Sequence, residues 1–351
     1  GFIGGTLLNH LLEHPDASTF TFTALVRSSV KASKLEAIGV KAVVGSLKDE
    51  PLVESLAADA DMIISMADCD DVDIAKSYLR GMKKRFEATG KAPILLHTSG
   101  TGVLADNSAG FYNSSTTIYN DADPDQIETL AITQQHRTVD IELVKADKEG
   151  YMKAYLVLPS MIYGLGQGRL VDLGIQNKFS IQIPQIIQAA LARGRGGMVG
   201  AGTNVWGNVH IEDIADLYII LFNLIRQNPD NVAHGREGFY FGIASEYNLY
   251  DVGKTIGEKL VSLGRATTSE PTTFTDEEVN LYFGGSTFWG TNSRGLSTRS
   301  KSIGWNPKKT AKDLAASIGP EVDAILQLNA AREQGESAQP INAYIPIPQA
   351  A

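Results

Sequence analysis

Two residues four apart carry the most chemical promise in this chain. His136 and Asp140 lie in TLAITQQHRTVDIELVKAD, whose pattern reads as a helix, and the i,i+4 spacing places both on one face. A carboxylate beside an imidazole orients the ring and stabilises its charged form, so the pair could do acid/base work. The same spacing also describes a purely structural pair. A second group suits an anion. Gly1, Phe2, Ile3 and Gly4 run directly into the apolar helix start TLLNHLL, as in the latter half of a G-x-x-G-x-x-G loop. Glycines in such a loop let backbone N–H groups approach a pyrophosphate.

The elements that would hold these groups come in regular alternation. The sequence predicts a helix over 6–13, a strand over 19–26, a helix over 30–38 and a strand over 40–44. A helix over 50–58, a strand over 62–66, a helix over 71–88 and a strand over 94–97 come next. Short connectors between such elements are the signature of a parallel sheet. The glycine loop has no strand ahead of it in the sequence. A doubly wound sheet would place that strand centrally, so roughly ten further residues are expected before Gly1. Beyond Gly164 the alternation breaks into the Gly-rich passage GLGQGRLVDLGIQNK, and helices are predicted over 181–192, 212–226 and 248–263. The α/β fold expected is therefore a Rossmann-like doubly wound parallel sheet with a smaller, interrupted C-terminal substrate domain. The dinucleotide-binding part spans 1–165. The substrate part spans 166–335, with segments returning to the first, and a Pro-rich tail occupies 336–351.

Composition narrows the function. The 351 residues carry 31 Lys and Arg against 40 Asp and Glu, a net charge of −9, which argues against a nucleic-acid partner. Cys69 is the single cysteine, so no intrachain disulfide can form, as suits a reducing, cytoplasmic setting. No apolar run approaches a membrane span. No metal-ligand spacing stands out: His10 and His14 are i,i+4 but lack a third ligand nearby, and an exposed helix face explains them.

Seven segments in order resemble the extended short-chain dehydrogenase/reductase superfamily, of the NAD-dependent epimerase/dehydratase type. They are GFIGG, ALVRS, VVGSLKDEPLV, HTSGTGVL, LPSMIYGLGQG, NVHIEDIADLY and SRGLS with IGWNPKK after it, and they span nearly the whole chain. The likeness is greatest to atypical fungal members labelled nucleoside-diphosphate-sugar epimerase-like. It implies a nicotinamide cofactor, and the residues after the second strand bear on which one. An acidic residue there would accept from the ribose and repel a 2′-phosphate. This chain has Arg27, Ser28 and Ser29 instead, with Lys31 and Lys34 behind. A guanidinium with hydroxyls suits a phosphate dianion, so NADP is expected, with NAD as the alternative. Arg27 could equally be a solvated strand end.

The resemblance further implies that Gly4 allows close helix–sheet approach and that Ala67 passes the ribose. Thr98 would lie near the nicotinamide, and Pro159, Ser160 and Ile162 near its carboxamide. It puts Asp49 near adenine, although a helix cap is the favoured reading. The usual Tyr-x-x-x-Lys is missing from its expected place; the one such spacing, Tyr250 to Lys254, reads as a surface pair. By position, His136 falls near the tyrosine and Asp140 near the lysine. Ser99 or Thr101 takes the carbonyl-polarising role, and Tyr119, in the loop before the helix, is an alternative acid. Tyr163 frames the pocket or packs beneath it, and Arg294 could contact a substrate anion, as could Arg169 and Arg193. His210 and Asp213 read as packing and bracing residues. Trp206, Phe283, Phe288 and Trp289 suggest an aromatic ligand surface or simply core. The leading expectation is an NADP-dependent oxidoreductase for a small or aromatic carbonyl or alcohol. The alternatives are an epimerase or dehydratase and an inactive dinucleotide-sensing or interaction protein. A homodimer could form through the tail.

Overall fold

The structure is a computed structural model that describes residues 1–334. The chain begins with α1 (Phe2–Leu12), then β1 (Thr23–Val26), α2 (Ser29–Glu36), β2 (Lys41–Val44), α3 (Glu50–Asp59), β3 (Met62–Ser65), α4 (Val72–Thr89) and β4 (Ile94–Thr98). The predicted alternation is thus observed with shifted ends: α1 starts at Phe2 rather than residue 6, so Phe2 to Gly4 are helical rather than a loop, residues 19–22 precede the strand, and α2 stops two residues early. Local chemistry sets the helix ends. The Asp49 carboxylate accepts from Leu52 N at 3.2 Å and so caps α3, with Pro51 in the first turn. Asp71 caps α4, and Gly90 ends it in the left-handed conformation, φ +68°.

After β4 come β5 (Ile118–Asn120), α5 (Pro124–Glu128), α6 (Arg137–Lys148), β6 (Lys153–Pro159), β7 (Met161–Tyr163), α7 (Arg169–Asp172), α8 (Gln182–Arg193), β8 (Gly197–Met198) and β9 (Val205–His210). The chain continues through α9 (Ile211–Gln227), β10 (Phe239–Gly242), β11 (Ser245–Asn248), α10 (Leu249–Ser262), β12 (Thr272–Thr273) and α11 (Asp276–Phe283). The last described elements are β13 (Arg294–Leu296), α12 (Thr298–Ser302) and α13 (Ala311–Glu333). The proline-rich tail expectation lies outside the described residues.

The main sheet is parallel, in the order β10-β6-β4-β3. Side chains alternate across it, as strand geometry requires. Leu95, Leu156 and Leu158 face α4 and α6, where they meet Tyr78, Met82, Val139 and Leu143. Leu96, Tyr155 and Val157 face α1 and α9, where Leu7, Leu11, Ile214, Leu217 and Leu221 cover them. Each such buried side chain is worth about 1.5–3 kcal/mol of transfer free energy. β1 and β2 form a separate parallel pair. β10 is a returning segment: it comes from the C-terminal half yet pairs with β6.

A second core joins α8, α10, α11 and α13 around Trp206, Tyr247 and Phe274. Two buried carboxylates stitch late segments onto early ones. Asp121 accepts from the backbone of Phe241, Arg299 and Ser300, and Asp213 accepts from Lys308 N and Lys309 N at 2.9 Å each. Asp213 therefore braces, as the sequence suggested. Trp206 and Phe283 are buried in this second core, with Phe288 and Trp289 packed on it, so the aromatic set is packing rather than an open ligand surface.

The tightest helix contact is α3 against α4. A Cβ on Gly81 would lie 2.2 Å from the Glu54 carbonyl oxygen and 2.9 Å from Ala58 N, both backbone atoms that cannot swing aside. Gly81→Ala is therefore expected to lower stability by about 1–3 kcal/mol. A urea titration should show the midpoint falling with an unchanged slope; an unaltered midpoint would contradict this packing.

Candidate active site

The strongest polar cluster lies where the main sheet strands end. His136 does not sit inside a helix, as its sequence pattern suggested. Residues 129–136 are turns, and His136 is the residue before α6, held at φ +67°. A non-glycine residue there is strained and needs surrounding contacts to hold it. Asp70, in the loop after β3, supplies them. One oxygen, Oδ1, accepts from His136 N at 2.9 Å and from the ring Nδ1 at 2.7 Å. Cys69 Sγ lies 3.3 Å from the same ring nitrogen.

The expected His136–Asp140 pair is thus corrected. The carboxylate that orients the imidazole is Asp70, because the left-handed turn at His136 rotates its side chain off the helix face. Asp140 is fully buried and accepts instead from Ser99 Oγ at 3.1 Å, and its other oxygen has no partner.

The far side of the His136 ring faces the turn after β4. A Cβ on Gly100 would fall 2.9 Å from Nε2, and one on Gly102 3.4 Å from it. Glycine at 100 lets the ring edge reach this turn, whereas the close neighbour of a Cβ on Gly102 is Gln135 Oε1 at 2.7 Å, and no protein hydrogen bond to Nε2 occurs among the described residues. Burial alone would lower the His136 pKa, but the hydrogen bonds to Asp70 and Cys69 override it and push it up to about 10. The His136 bond holds Asp70 below the usual carboxylate range in turn. Below the ring, burial pushes His97 down to about 3, so it is neutral. Burial raises Asp140 to about 6, against the Ser99 hydrogen bond and the charges of His136 and Arg137. The result is a charged imidazole, clamped at one nitrogen and free at the other: a proton donor.

The remaining expected residues divide. Thr98 is buried, and its hydroxyl lies 2.7 Å from Tyr218 OH on α9, turned into the core. Ser99 commits its proton to Asp140, and the Thr101 hydroxyl is buried without a partner. Ser160 Oγ donates to Gly242 O, beside Pro159 on β6. Ile162 is paired with Val209. Ala67 is exposed in the Asp70 loop. Tyr163 is fully buried and donates to Thr310 O, which selects packing beneath a pocket over framing one.

Four expectations are overturned. Tyr119 lies on β5 and packs against the core under α4 and α6 rather than in a loop. Arg294 holds Glu246 with two bonds of 2.8 and 2.9 Å, which occupies its guanidinium. Arg193 pairs with Glu278 and lies over Phe274. His10 and His14 are half-buried and bonded to Glu212 and Asn223 on α9, not free on a solvated face. Elsewhere, Arg169 is exposed at the start of α7. Tyr250 and Lys254 share Glu270 at the surface, as expected of an outlying pair. His210 caps α9 through Nδ1 and stacks edgewise on Tyr163.

Arg27, Lys31 and Lys34 form a cationic group beside Gly1. Lys31 and Lys34 donate to the carbonyls of Ile175 and Leu173, and no acid pairs with any of the three among the described residues. Burial and then the charges of Arg27 and Lys34 lower Lys31. Ser28 caps α2. Phe2 and Ile3 pack on the α1–α9 core. The close approach falls at Gly5, where a Cβ would meet the Gln176 side chain at 2.4 Å; at Gly4 the nearest atom, Met66 Sδ, is an ordinary 3.4 Å away. A donor set of α1 N–H groups with uncompensated cations fits the phosphates of a dinucleotide.

Sequence reasoning missed Asp70, Cys69, Gly100 and Gly102. The signals were a DCDD run after a strand and glycines flanking Thr101. The Cys69, Asp70 and His136 donor atoms all lie within 4.8 Å of one another, a soft-plus-hard set that an ion of the zinc class could take.

This architecture is a Rossmann-like α/β fold shared with nucleotide-sugar epimerases of known structure. UDP-glucose 4-epimerase of Thermotoga maritima, solved with UDP-glucose, matches with a TM-score of 0.59 and 15% identity, over 93% of this chain and 96% of its own. UDP-glucuronic acid 4-epimerase of Bacillus cereus, in complex with UDP-glucuronic acid and NAD, matches with a TM-score of 0.57 and 10% identity, over 93% and 97%. Among proteins similar in sequence, an oxidase of an Acremonium species is 26% identical over 328 residues, 88% of this chain and 90% of its own. An uncharacterised Saccharomyces cerevisiae protein is 26% identical over 322 residues, 88% and 92% respectively. No protein-family profile matches the chain. Among the described residues no helix is long and apolar enough to cross a membrane.

The geometry sets two titrations. Asp70→Asn removes the main partner of His136, so the ring's NMR titration midpoint should fall by roughly two units. A raised histidine pKa contributes stability that is complete below its unfolded value near 6.5 and lost as pH climbs through about 10. Wild type should therefore lose its advantage over Asp70→Asn across that window. An unmoved midpoint would remove Asp70 from the site. Asp140 has the opposite consequence at neutral pH. Its folded pKa of about 6 exceeds the ordinary 3.8, so its favourable, protonated form is lost as pH rises through 6. Asp140→Asn should be more stable than wild type by ~2 kcal/mol at pH 8 and no more stable near pH 4. Equal stability at both pH values would contradict a desolvated carboxylate.

Proposed function

We propose that this protein is an NADP-dependent oxidoreductase that interconverts a small or aromatic carbonyl compound and its alcohol, with His136 as the proton donor. The observation that carries the reading is the Asp70 clamp, which charges the imidazole and leaves Nε2 free over Gly100 and Gly102. The fold's likeness to enzymes solved with NAD and the resemblance to an oxidase support a nicotinamide dinucleotide. Arg27, with Lys31 and Lys34, supports the 2′-phosphorylated form, since nothing acidic there would repel the extra charge.

When bound, the reduced nicotinamide supplies a hydride to the carbonyl carbon. His136 gives its Nε2 proton to the carbonyl oxygen, and Asp70 keeps the ring oriented and charged until transfer. The neutral ring left behind regains its proton from solvent. Ser99 acts indirectly, holding the buried Asp140 whose field supports the imidazolium. Arg27 and the backbone at Gly1 to Gly4 would hold phosphates. A specific observation favours one rival: Ser99 is committed to Asp140, which stands where the lysine would be, as in a dinucleotide-binding protein without turnover.

Calorimetric titration with NADPH and NADH separates these readings. NADPH should bind more tightly, and Arg27→Gln should weaken NADPH by roughly tenfold or more while sparing NADH. With an aromatic aldehyde series, His136→Gln should lower kcat by about 10²–10⁴-fold with little change in KM. Preferential NADH binding would end the Arg27 argument. Tight NADPH binding with no aldehyde reduced, and none dependent on His136, would favour the sensing role.

A further inference from the structure

Arg137, the first residue of α6, is 6% exposed, and its Nε has no hydrogen-bond partner. Asp140 and Glu128 reach it only through their charge, and a buried N–H without a partner is costly, so the position points to a group that pairs with it. It lines a cavity of about 900 Å³ between α6 and residues 229–239. Along α6 the positions 137, 141, 144, 145 and 148 form one helix face toward this cavity. Its apolar wall is Ile127, Ile141, Val144, Val232 and Phe239.

The lining carries four acids and four lysines or arginines, and its acids are not shared evenly among them. Every acid there is already engaged. Glu128 and Glu237 hold Arg236, Asp147 holds His234 at 2.7 Å, and Asp230 holds Lys153 at 2.8 Å. Arg137 at the floor, and Lys145 and Lys148 at the exposed rim, make no ion pair among the described residues. A largely buried guanidinium, with its Nε unpartnered beside an apolar wall, matches a planar carboxylate on an apolar body.

We propose that this cavity binds an organic carboxylate with an apolar tail. Its carboxylate pairs with Arg137, its tail lies against Ile141, Val144 and Phe239, and Lys145 and Lys148 draw the anion in. Arg137 comes directly after His136, so a bound anion would act on the first turn of α6. That coupling rests on the proton-donor reading, whereas the binding itself does not.

Octanoate is the probe, titrated by calorimetry into the full chain with octanol and acetate as controls. Octanoate should bind with a Kd on the order of 0.1–1 mM, and each control at least about tenfold more weakly. Arg137→Met should weaken octanoate by about tenfold or more. Because this variant could fold poorly, Val144→Trp, which fills the cavity and keeps the guanidinium, should abolish binding as well. Equal binding of octanol, binding untouched by either variant, or no binding would overturn the proposal. Sedimentation velocity reads the rival occupant: a dimer that Val144→Trp dissociates, without octanoate binding, would assign the cavity to a second copy of the chain.

Discussion

The burial of β4 and β6 on both faces is the constraint on which the other features depend. Parallel strands so placed need helices above and below, and the alternating side chains of Ile94 to Thr98 divide between the α4–α6 layer and the α1–α9 layer. Polar groups can then collect only where the strands run out. That is why Ser99, the glycines around Thr101 and the Asp70 loop meet at one end of the sheet. The long α9, with Ile214, Leu217, Tyr218 and Leu221 fully buried, fixes the orientation of α1 and so the place of Gly1 to Gly4.

Within that frame the site is held by charge rather than by shape alone. His136 occupies a strained backbone conformation, and Asp70 offsets the strain with two hydrogen bonds to one oxygen. The buried neutral His97 and the raised Asp140 show the low polarity beneath. A proton donor charged well above neutral pH suits reduction of a carbonyl better than abstraction of a proton. Where the sequence departs from Tyr-x-x-x-Lys, the proposed acid draws its partner from the loop after β3 instead of the next turn of the same helix.

Much of the fold was legible because it rests on local rules. The periods of TFTFTALV, MIISM and ILLH, the cap at Asp49 and the stop at Gly90 each depend on residues close in sequence. Asp213 was legible as a brace from the resemblance of NVHIEDIADLY to a segment whose carboxylate joins the two parts of the fold. The site was legible only in part. His136 and Asp140 were found, but their pairing was misread, since the helical pattern of TLAITQQHRTVD hides a left-handed turn. Arg294 and Tyr163 seemed available for ligands because Glu246 and Thr310, which engage them, are distant along the chain.

The sequence by itself determined the alternating elements, the main helix boundaries and the cationic run after β1, because each arises from backbone preference and side-chain period over a few residues. Only the tertiary structure decided which carboxylate faces His136, which hydroxyls are already spent, and that Arg137 faces a cavity unpaired. Those outcomes depend on contacts between residues tens of positions apart, such as Asp70 with His136, whose distance is set by how the layers pack against β4 and β6.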